Sequence, residues 1–530
     1  MIIDLNQNEA PERQRAQVCV IGAGAAGQAV AMRLADKGVD VLLLESGGPE
    51  FDAEQQAIAK GDNVGEEYYE LDTTRLRLFG GTAAIWGGRC AELDAIDFEK
   101  RDYLPHSGWP ITKADLAPYY EHAFREMGLE RPAGDRLWSV VGRHKPAFDA
   151  AKLDAGLWCF DENGERFTDT RRGSLGKVRI VLGTTVTKFD VGAQGLVEAI
   201  TAQSLGGRTV QFVAEHFVLA AGALESVRLL FAAVPERPQG FGNDRDQLGR
   251  YFMEHPHARG GQILPVSLAQ SILVLPRALR VQGKRYAAYL RPADALQRSL
   301  GILNTSISFA ARRHEGMQMD ALSAATGKLK HDLPSTRFWR SLYKGLKGAA
   351  IRLLEVSDPW PTVFSLKRGH EKKGLYAVVR AEQAPIPESR VTLGEQVDAL
   401  GMRRLALDWQ FSDIDKRSVR VLMETLKGEY QRLGWGDVAL ASWLHEENTA
   451  WQTDPLISAH PIGGYHHMGG TRMGEAPASS VVDAHCKLHE SPNLYVASSS
   501  VFPTGGWANP TMTIIALADR LGDHLASQVT

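Results

Sequence analysis

Gln17-Val18-Cys19-Val20-Ile21 runs without a break into Gly22-Ala23-Gly24-Ala25-Ala26-Gly27. Ala26 to Asp36 then carries apolar side chains at helical spacing, among them Val30 and Leu34, and Gly38 stops the pattern. Val39 to Leu44 is a second apolar run that ends in Glu45. Strand, glycine turn, helix, strand and acid in this order is the pattern of a dinucleotide-binding α/β unit. Gly22 permits the tight turn, Gly24 lets a pyrophosphate approach the backbone, and Gly27 lets helix and strand pack closely. The helix start offers free N–H groups and partial positive charge to phosphates. Glu45, 18 residues after Gly27, can accept both hydrogen bonds of a ribose diol and would repel a 2′-phosphate, against NADP. The pattern does not choose between FAD and NAD.

Two later stretches resemble this unit. His216 to Ala220 runs into Ala221-Gly222-Ala223 and a helical segment through Leu230, and Asn493 to Ala497 enters a Ser-rich turn. Strands so far apart can share one sheet if the chain leaves the first domain and returns. Between them, roughly Ile263 to Trp451 alternates strand-like and helical pieces, the pattern of a second domain. Arg337 to Leu354 reads as a basic amphipathic helix, either a surface helix packed on the core or a docking element.

At 530 residues the chain exceeds one simple core. Its 44% hydrophobic and 23% charged residues are ordinary for a globular protein. The 60 Lys and Arg nearly cancel the 63 Asp and Glu, against a general nucleic-acid surface. Cys19, Cys90, Cys159 and Cys486 stand singly, so neither a zinc site nor a dithiol redox centre is indicated. The polar N-terminus lacks a signal-peptide core, and no apolar run approaches membrane-spanning length. The expectation is a cytoplasmic protein.

The C-terminal region holds a second constellation, Tyr465-His466-His467-Met468-Gly469-Gly470-Thr471-Arg472-Met473-Gly474. Further on, Asn509 and Pro510 precede a helical pattern from Thr511 to Leu525. Asn before Pro reads as a helix cap. A helix that starts in an active site also points its positive end at a bound group, which suits the N1–C2=O edge of a reduced flavin.

These segments, with Phe79 to Gly88 (FGGTAAIWGG), Ala220 to Leu230 and Leu248 to Pro256 (LGRYFMEHP), occur in the order seen in glucose-methanol-choline (GMC) oxidoreductases, which the chain resembles over nearly its whole length. The resemblance implies an α/β fold: a discontinuous Rossmann-like FAD-binding domain plus a substrate domain with an antiparallel sheet and helices. The expected division is 1–110, 171–262 and 452–530 for FAD, 111–170 as a connecting and substrate-domain segment, and 263–451 for substrate. Gly22, Gly24, Ala25, Gly27 and Glu45 would hold the ADP half of FAD, with Val186 at the adenine. Gly81, Thr82 and Trp86 would lie along the flavin, and Ala221, Ser498 and Thr511 would complete the cofactor contacts. Ser498 stands where relatives often have Asp.

In the family a histidine base works with a second His or an Asn. Alignment on Arg472-Met473-Gly474 makes His466 the base; alignment on Gly470-Thr471 would select His467. Asn509 matches the paired Asn. Ile85 stands where some relatives attach FAD through His, so non-covalent FAD is expected. The motif spellings look most like the sugar-oxidising branch, implying a sugar or glycoside as the alcohol and oxygen, a quinone or a redox partner as acceptor. Trp360, Glu382, Gln383 and Trp409 could line a polyol pocket or be structural. Oxidation of a non-sugar alcohol, an FAD-containing lyase, another flavoprotein class and a non-catalytic nucleotide-binding module are the rival readings.

Overall fold

The computed structural model describes residues 1–7, 11–131, 136–163, 165–317, 360–368, 372–458 and 460–529. The basic stretch Arg337 to Leu354 and the Trp360 side chain lie outside the described residues.

The opening motif folds as its pattern dictates. The strand Arg13–Ile21 is followed by the helix Ala25–Asp36 and the buried strand Val41–Leu44. They belong to an eight-stranded sheet, ordered Ile2–Asp4, Arg179–Leu182, Val41–Leu44, Arg13–Ile21, Thr209–Leu219, Val197–Gln203 and Thr185–Val191. The first five are parallel and the last two antiparallel. Thr209–Leu219 belongs to both parts. Its first residues pair with Val197–Gln203, and Phe217 to Leu219 pair in parallel with Leu494–Val496. The chain therefore returns to the first sheet after about 270 residues, as the sequence pattern predicts.

Two of the three motif glycines are sterically obligatory. Gly22 has φ +104°, and a Cβ there would meet the Ala220 carbonyl oxygen at 2.6 Å. A Cβ on Gly27 would stand 1.8 Å from the Gly22 carbonyl oxygen. Helix and turn can approach this closely only without side chains.

A second eight-stranded sheet is antiparallel throughout. Its order is Gly436–Leu440, His257–Pro265, Lys373–Arg380, Ser306–Arg313, Lys284–Pro292, Leu153–Phe160 and Arg89–Cys90, with Leu279–Val281 paired to Lys284–Pro292. A smaller sheet pairs Arg390–Val397 and Arg403–Asp408 with Gly61–Asn63. Residues 61–63 and 89–90, inside the segment 1–110 read as FAD-binding, thus pair with Arg403–Asp408 and with Leu153–Phe160, strands outside the first sheet.

The C-terminal helix Thr511–Ala526 packs along the helix Ala25–Asp36. A Cβ on Gly522 would meet Arg33 Cβ at 2.8 Å, and Arg33 forks onto the Asp523 carboxylate at 2.7 and 2.6 Å. The far end of this helix is thereby fixed on the nucleotide-binding unit, which determines where its first turn points.

Replacing Gly27 by Val should lower stability by about 3 kcal/mol, the upper range for overpacking, and abolish flavin retention. Flavin content after gel filtration and the thermal midpoint measure both; a stable, yellow Gly27→Val protein would contradict this packing.

Candidate active site

Four stretches far apart in sequence converge at one place: Tyr68–Tyr69, Glu254–His257, Gly463–His467 and Gly505–Asn509. Met253 and Met468 exchange both backbone hydrogen bonds at 2.9 Å. The Ser-rich turn then ties down the rest of the strap, since Gly469 N–H donates to Ser499 O, Thr471 N–H to Ser500 O and Met473 N–H to Val501 O.

A fully buried carboxylate organises the junction. Glu254 accepts from Tyr68 O–H at 2.6 Å, His255 N–H at 2.7 Å and His466 N–H at 2.8 Å. Burial pushes its pKa up to about 7 against the donors that pull it down. A Cβ on Gly463 would stand 2.6 Å from Glu254 Cγ, so only glycine fits there.

His466 and Asn509, 43 residues apart, meet directly, with Asn509 Nδ2 3.0 Å from His466 Nε2. On the other side, His466 Nδ1 lies 2.9 Å from His255 Nδ1, and His255 Nε2 lies 2.8 Å from the Gly506 carbonyl oxygen. A carbonyl only accepts, so His255 carries its proton on Nε2 and presents a lone pair at Nδ1. His466 must then donate from Nδ1, which leaves its Nε2 lone pair facing the Asn509 amide. Burial holds the His466 pKa well below the usual histidine value, with His255, His257, Arg380 and Arg89 adding to the effect. Burial likewise lowers His255, to about 4.

His467 has a different environment. It is buried, and its Nε2 donates to the Tyr68 oxygen at 3.0 Å, because the Tyr68 proton is already given to Glu254. Burial depresses its pKa to about 3. Of the two adjacent histidines, only His466 faces Asn509. Nor does Asn509 cap the helix as its place before Pro510 suggests. The cap position is Pro510, without a side-chain hydrogen bond, and the Asn509 carboxamide points at His466.

The expected cofactor residues form a cradle of the right chemistry. A Cβ on Gly24 would have nothing within 4 Å, so the backbone is open there. The helix Ala25–Asp36 starts with no side-chain cap and no acid in its first turn, leaving its first N–H groups available to a diphosphate. Gly81 lies against this opening, its Cβ position 3.3 Å from Gly24 Cα, and Gly80 N–H donates to Ala23 O. Thr82 Oγ1 accepts from Leu76 N–H, and Trp86 packs edge-on to Phe167 at 5.7 Å. Thr184 N–H donates to Glu45 O, and Val186 lies buried two residues further along the chain, paired with Ala202. Ala221 adjoins Gly22, whose Cβ would meet Ala221 Cα at 3.0 Å. Ser498 is buried and its Oγ accepts from Ser500 N–H, while Thr511 opens the C-terminal helix half-buried.

Glu45 departs from the simplest expectation. Its carboxylate already accepts from Ala23 N–H and Gly47 N–H, both at 2.9 Å, so it braces the glycine turn itself. A ribose diol would use the remaining lone pairs. Glu382, Gln383 and Trp409 are core residues. Glu382 pairs bidentately with Arg101, both side chains fully buried, and Gln383 accepts from Trp409 Nε1 and Glu254 N–H.

Glycine turn, open helix start and a histidine–asparagine pair together define a dinucleotide-dependent oxidoreductase. An FAD-dependent oxidoreductase family model matches residues 17–265, and a GMC oxidoreductase model matches residues 385–518. The chain is 31% identical to C-glycoside 3-oxidase of Arthrobacter globiformis, over 85% of this chain and 74% of that protein. It is 24% identical to paromamine 6'-oxidase of Streptomyces fradiae, over 97% and 91%. The fold matches the crystal structure of formate oxidase with a TM-score of 0.56 at 15% identity, covering 98% of this chain and 99% of that one. The chain belongs to the GMC oxidoreductase family. It is an FAD-dependent enzyme that oxidises an alcohol.

Sequence reading passed over Glu254, His255 and Tyr68 as chemistry. Glu254 and His255 lay inside the quoted stretch Leu248 to Pro256, where an acid beside a histidine in an otherwise apolar run was the available signal.

Glu254→Gln should destabilise the protein by about 1–3 kcal/mol, because a carboxamide presents one N–H pair to donors that need an acceptor. The thermal midpoint at constant pH measures this, and an unchanged midpoint would contradict the role of Glu254 as the brace of the junction.

Proposed function

We propose that the chain oxidises a ring hydroxyl of a sugar or glycoside to a carbonyl, with His466 as base and Asn509 as the group that orients the substrate oxygen. The observation that carries this is the 3.0 Å contact between an acceptor nitrogen and an amide donor. A hydroxyl inserted between them can donate its proton to His466 Nε2 while its oxygen accepts from Asn509 Nδ2. His255 keeps His466 in the tautomer that presents this lone pair. Bound flavin supplies the hydride acceptor at N5. The preference for sugars is supported by relatives named C-glycoside 3-oxidase and paromamine 6'-oxidase.

FAD is bound non-covalently in this reading. Ile85, exposed and without a nucleophilic atom, precedes Trp86 where a linking histidine would stand. Four free, buried cysteines suit a cytoplasmic setting, and no described helix is long and apolar enough to cross a membrane.

Anaerobic mixing of the holoenzyme with sugars, glycosides and aryl alcohols tests the substrate class: bleaching only by aryl alcohols would overturn it. His466→Ala should slow flavin reduction by about 10²–10⁴-fold, and a near-normal rate would remove His466 from the mechanism. His466 loses its lone pair only as pH falls through its depressed pKa. The acid limb of kcat/KM due to His466 should therefore lie below pH 6.5. A limb at or above 6.5 that persists in Glu254→Gln, which removes the buried carboxyl held at about 7, would contradict the buried, neutral base. Acid precipitation should release all flavin colour into the supernatant.

A further inference from the structure

We propose that the substrate carries an acidic group, a carboxylate or a phosphate, which Arg89 and Arg380 hold against the face of the antiparallel sheet beside His466. This rests on the reading that His466 and Asn509 engage the reacting hydroxyl.

Strand register places the residues. Residues paired across neighbouring strands share a face, and so do residues two apart along a strand. Arg89 pairs with Phe160, Trp158 lies two residues before Phe160, and Ala287 pairs with Trp158. In the strands Ser306–Arg313 and Lys373–Arg380, Ser308 pairs with Val378 and Ser306 with Arg380, and His257 pairs with Arg380 in turn. The guanidinium groups of Arg89 and Arg380 lie 5.3 and 5.5 Å from the same Trp158 ring. Arg380 donates to Ser308 Oγ at 3.0 Å on its way there.

This face borders the catalytic pair. Trp158 packs edge-on against Trp507 at 5.7 Å, two residues from Asn509. His257 N–H donates to Ile462 O, laying the loop that leads to His466 across the end of the sheet.

Several other buried guanidiniums are paired with carboxylates, whereas buried Arg472 donates to the Ser479 and His106 carbonyl oxygens instead. Arg101 binds Glu382, Arg228 binds Glu225 and Asp398, Arg259 binds Asp454, and Arg291 binds Asp94 and Asp154. Among the described residues, half-buried Arg89 and buried Arg380 have no carboxylate within 4 Å, and Asp454, Asp94 and Glu382 are already paired. Unpaired charge is costly to bury and is retained where a ligand completes it. Burial first, and then neighbouring guanidiniums, lower the pKa of both, Arg89 to about 10.

Buried atoms without a protein partner point the same way. Arg89 Nε, Arg259 Nη1 and Trp158 Nε1 are all donors, which an anion's oxygens would satisfy. The exception is informative. His257 donates from Nδ1 to His460 O at 2.6 Å, so its buried, partnerless Nε2 is an acceptor, suited to a second hydroxyl of a sugar ring.

The test titrates oxidised holoenzyme with D-glucose, D-glucuronate and glucose 6-phosphate at fixed ionic strength, reading the flavin spectrum and heat of binding, and repeats each anaerobically for bleaching. At least one acid should bind tenfold or more tighter than glucose, and comparison of the two acids identifies carboxylate or phosphate. In Arg380→Gln and in Arg89→Gln this preference should collapse, while Arg380→Lys retains part of it. Arg298→Gln, a surface variant, should keep it in full, and flavin content certifies folding. Equal binding of glucose and both acids overturns the proposal, as does a preference that survives both glutamine variants. Selective binding with no bleaching by any sugar leaves the anion site standing and removes the reading of the reaction.

Discussion

The site depends on one buried carboxyl group. Glu254 has no exposed surface, and a carboxylate in that position is tolerable only while donors surround it. Those donors come from three separate parts of the chain: the Tyr68 hydroxyl, the His255 amide and the His466 amide. The requirement to satisfy Glu254 therefore pins the backbone of His466 to that of His255. It also explains why Gly463 must lack a side chain and why His467 turns toward Tyr68 rather than toward Asn509.

With the backbones fixed, proton positions follow from the chemistry of the acceptors. The Gly506 carbonyl sets the His255 tautomer, and His255 sets that of His466. Among the described residues no carboxylate contacts the His466 ring, unlike the arrangement in a Ser-His-Asp triad. Burial and the arginines of the adjoining sheet disfavour the imidazolium. The same surroundings therefore keep His466 neutral. Several other buried arginines are neutralised by acid, as in the pair of Arg101 and Glu382. The arginines beside Trp158 have no such partner among the described residues, and a departure of this kind is expected at a functional site.

Much of the fold was legible because its signals are local. The turn at Gly22 to Gly27 must be built from glycine whatever surrounds it, and the apolar strands on either side have no alternative to burial. The return of Leu494–Val496 to the first sheet was also visible as a second strand running into a small-residue turn. The edges of the units were less legible. Gly61–Asn63 and Arg89–Cys90 are too short to announce their partners, and their pairing is decided by the distant strands Arg403–Asp408 and Leu153–Phe160.

The amino-acid order by itself determined a dinucleotide cradle, a strap carrying two histidines and a helix preceded by Asn509, because each rests on backbone conformation and apolar periodicity within a few residues. Which histidine faces the carboxamide, that Glu45 braces the turn it follows, and that Asn509 leaves the helix uncapped were decided only in three dimensions. The physical reason is that hydrogen-bond partners and desolvation belong to the assembled interior. A histidine's tautomer, a buried acid's donors and an arginine without a counter-ion have no counterpart in the linear chain.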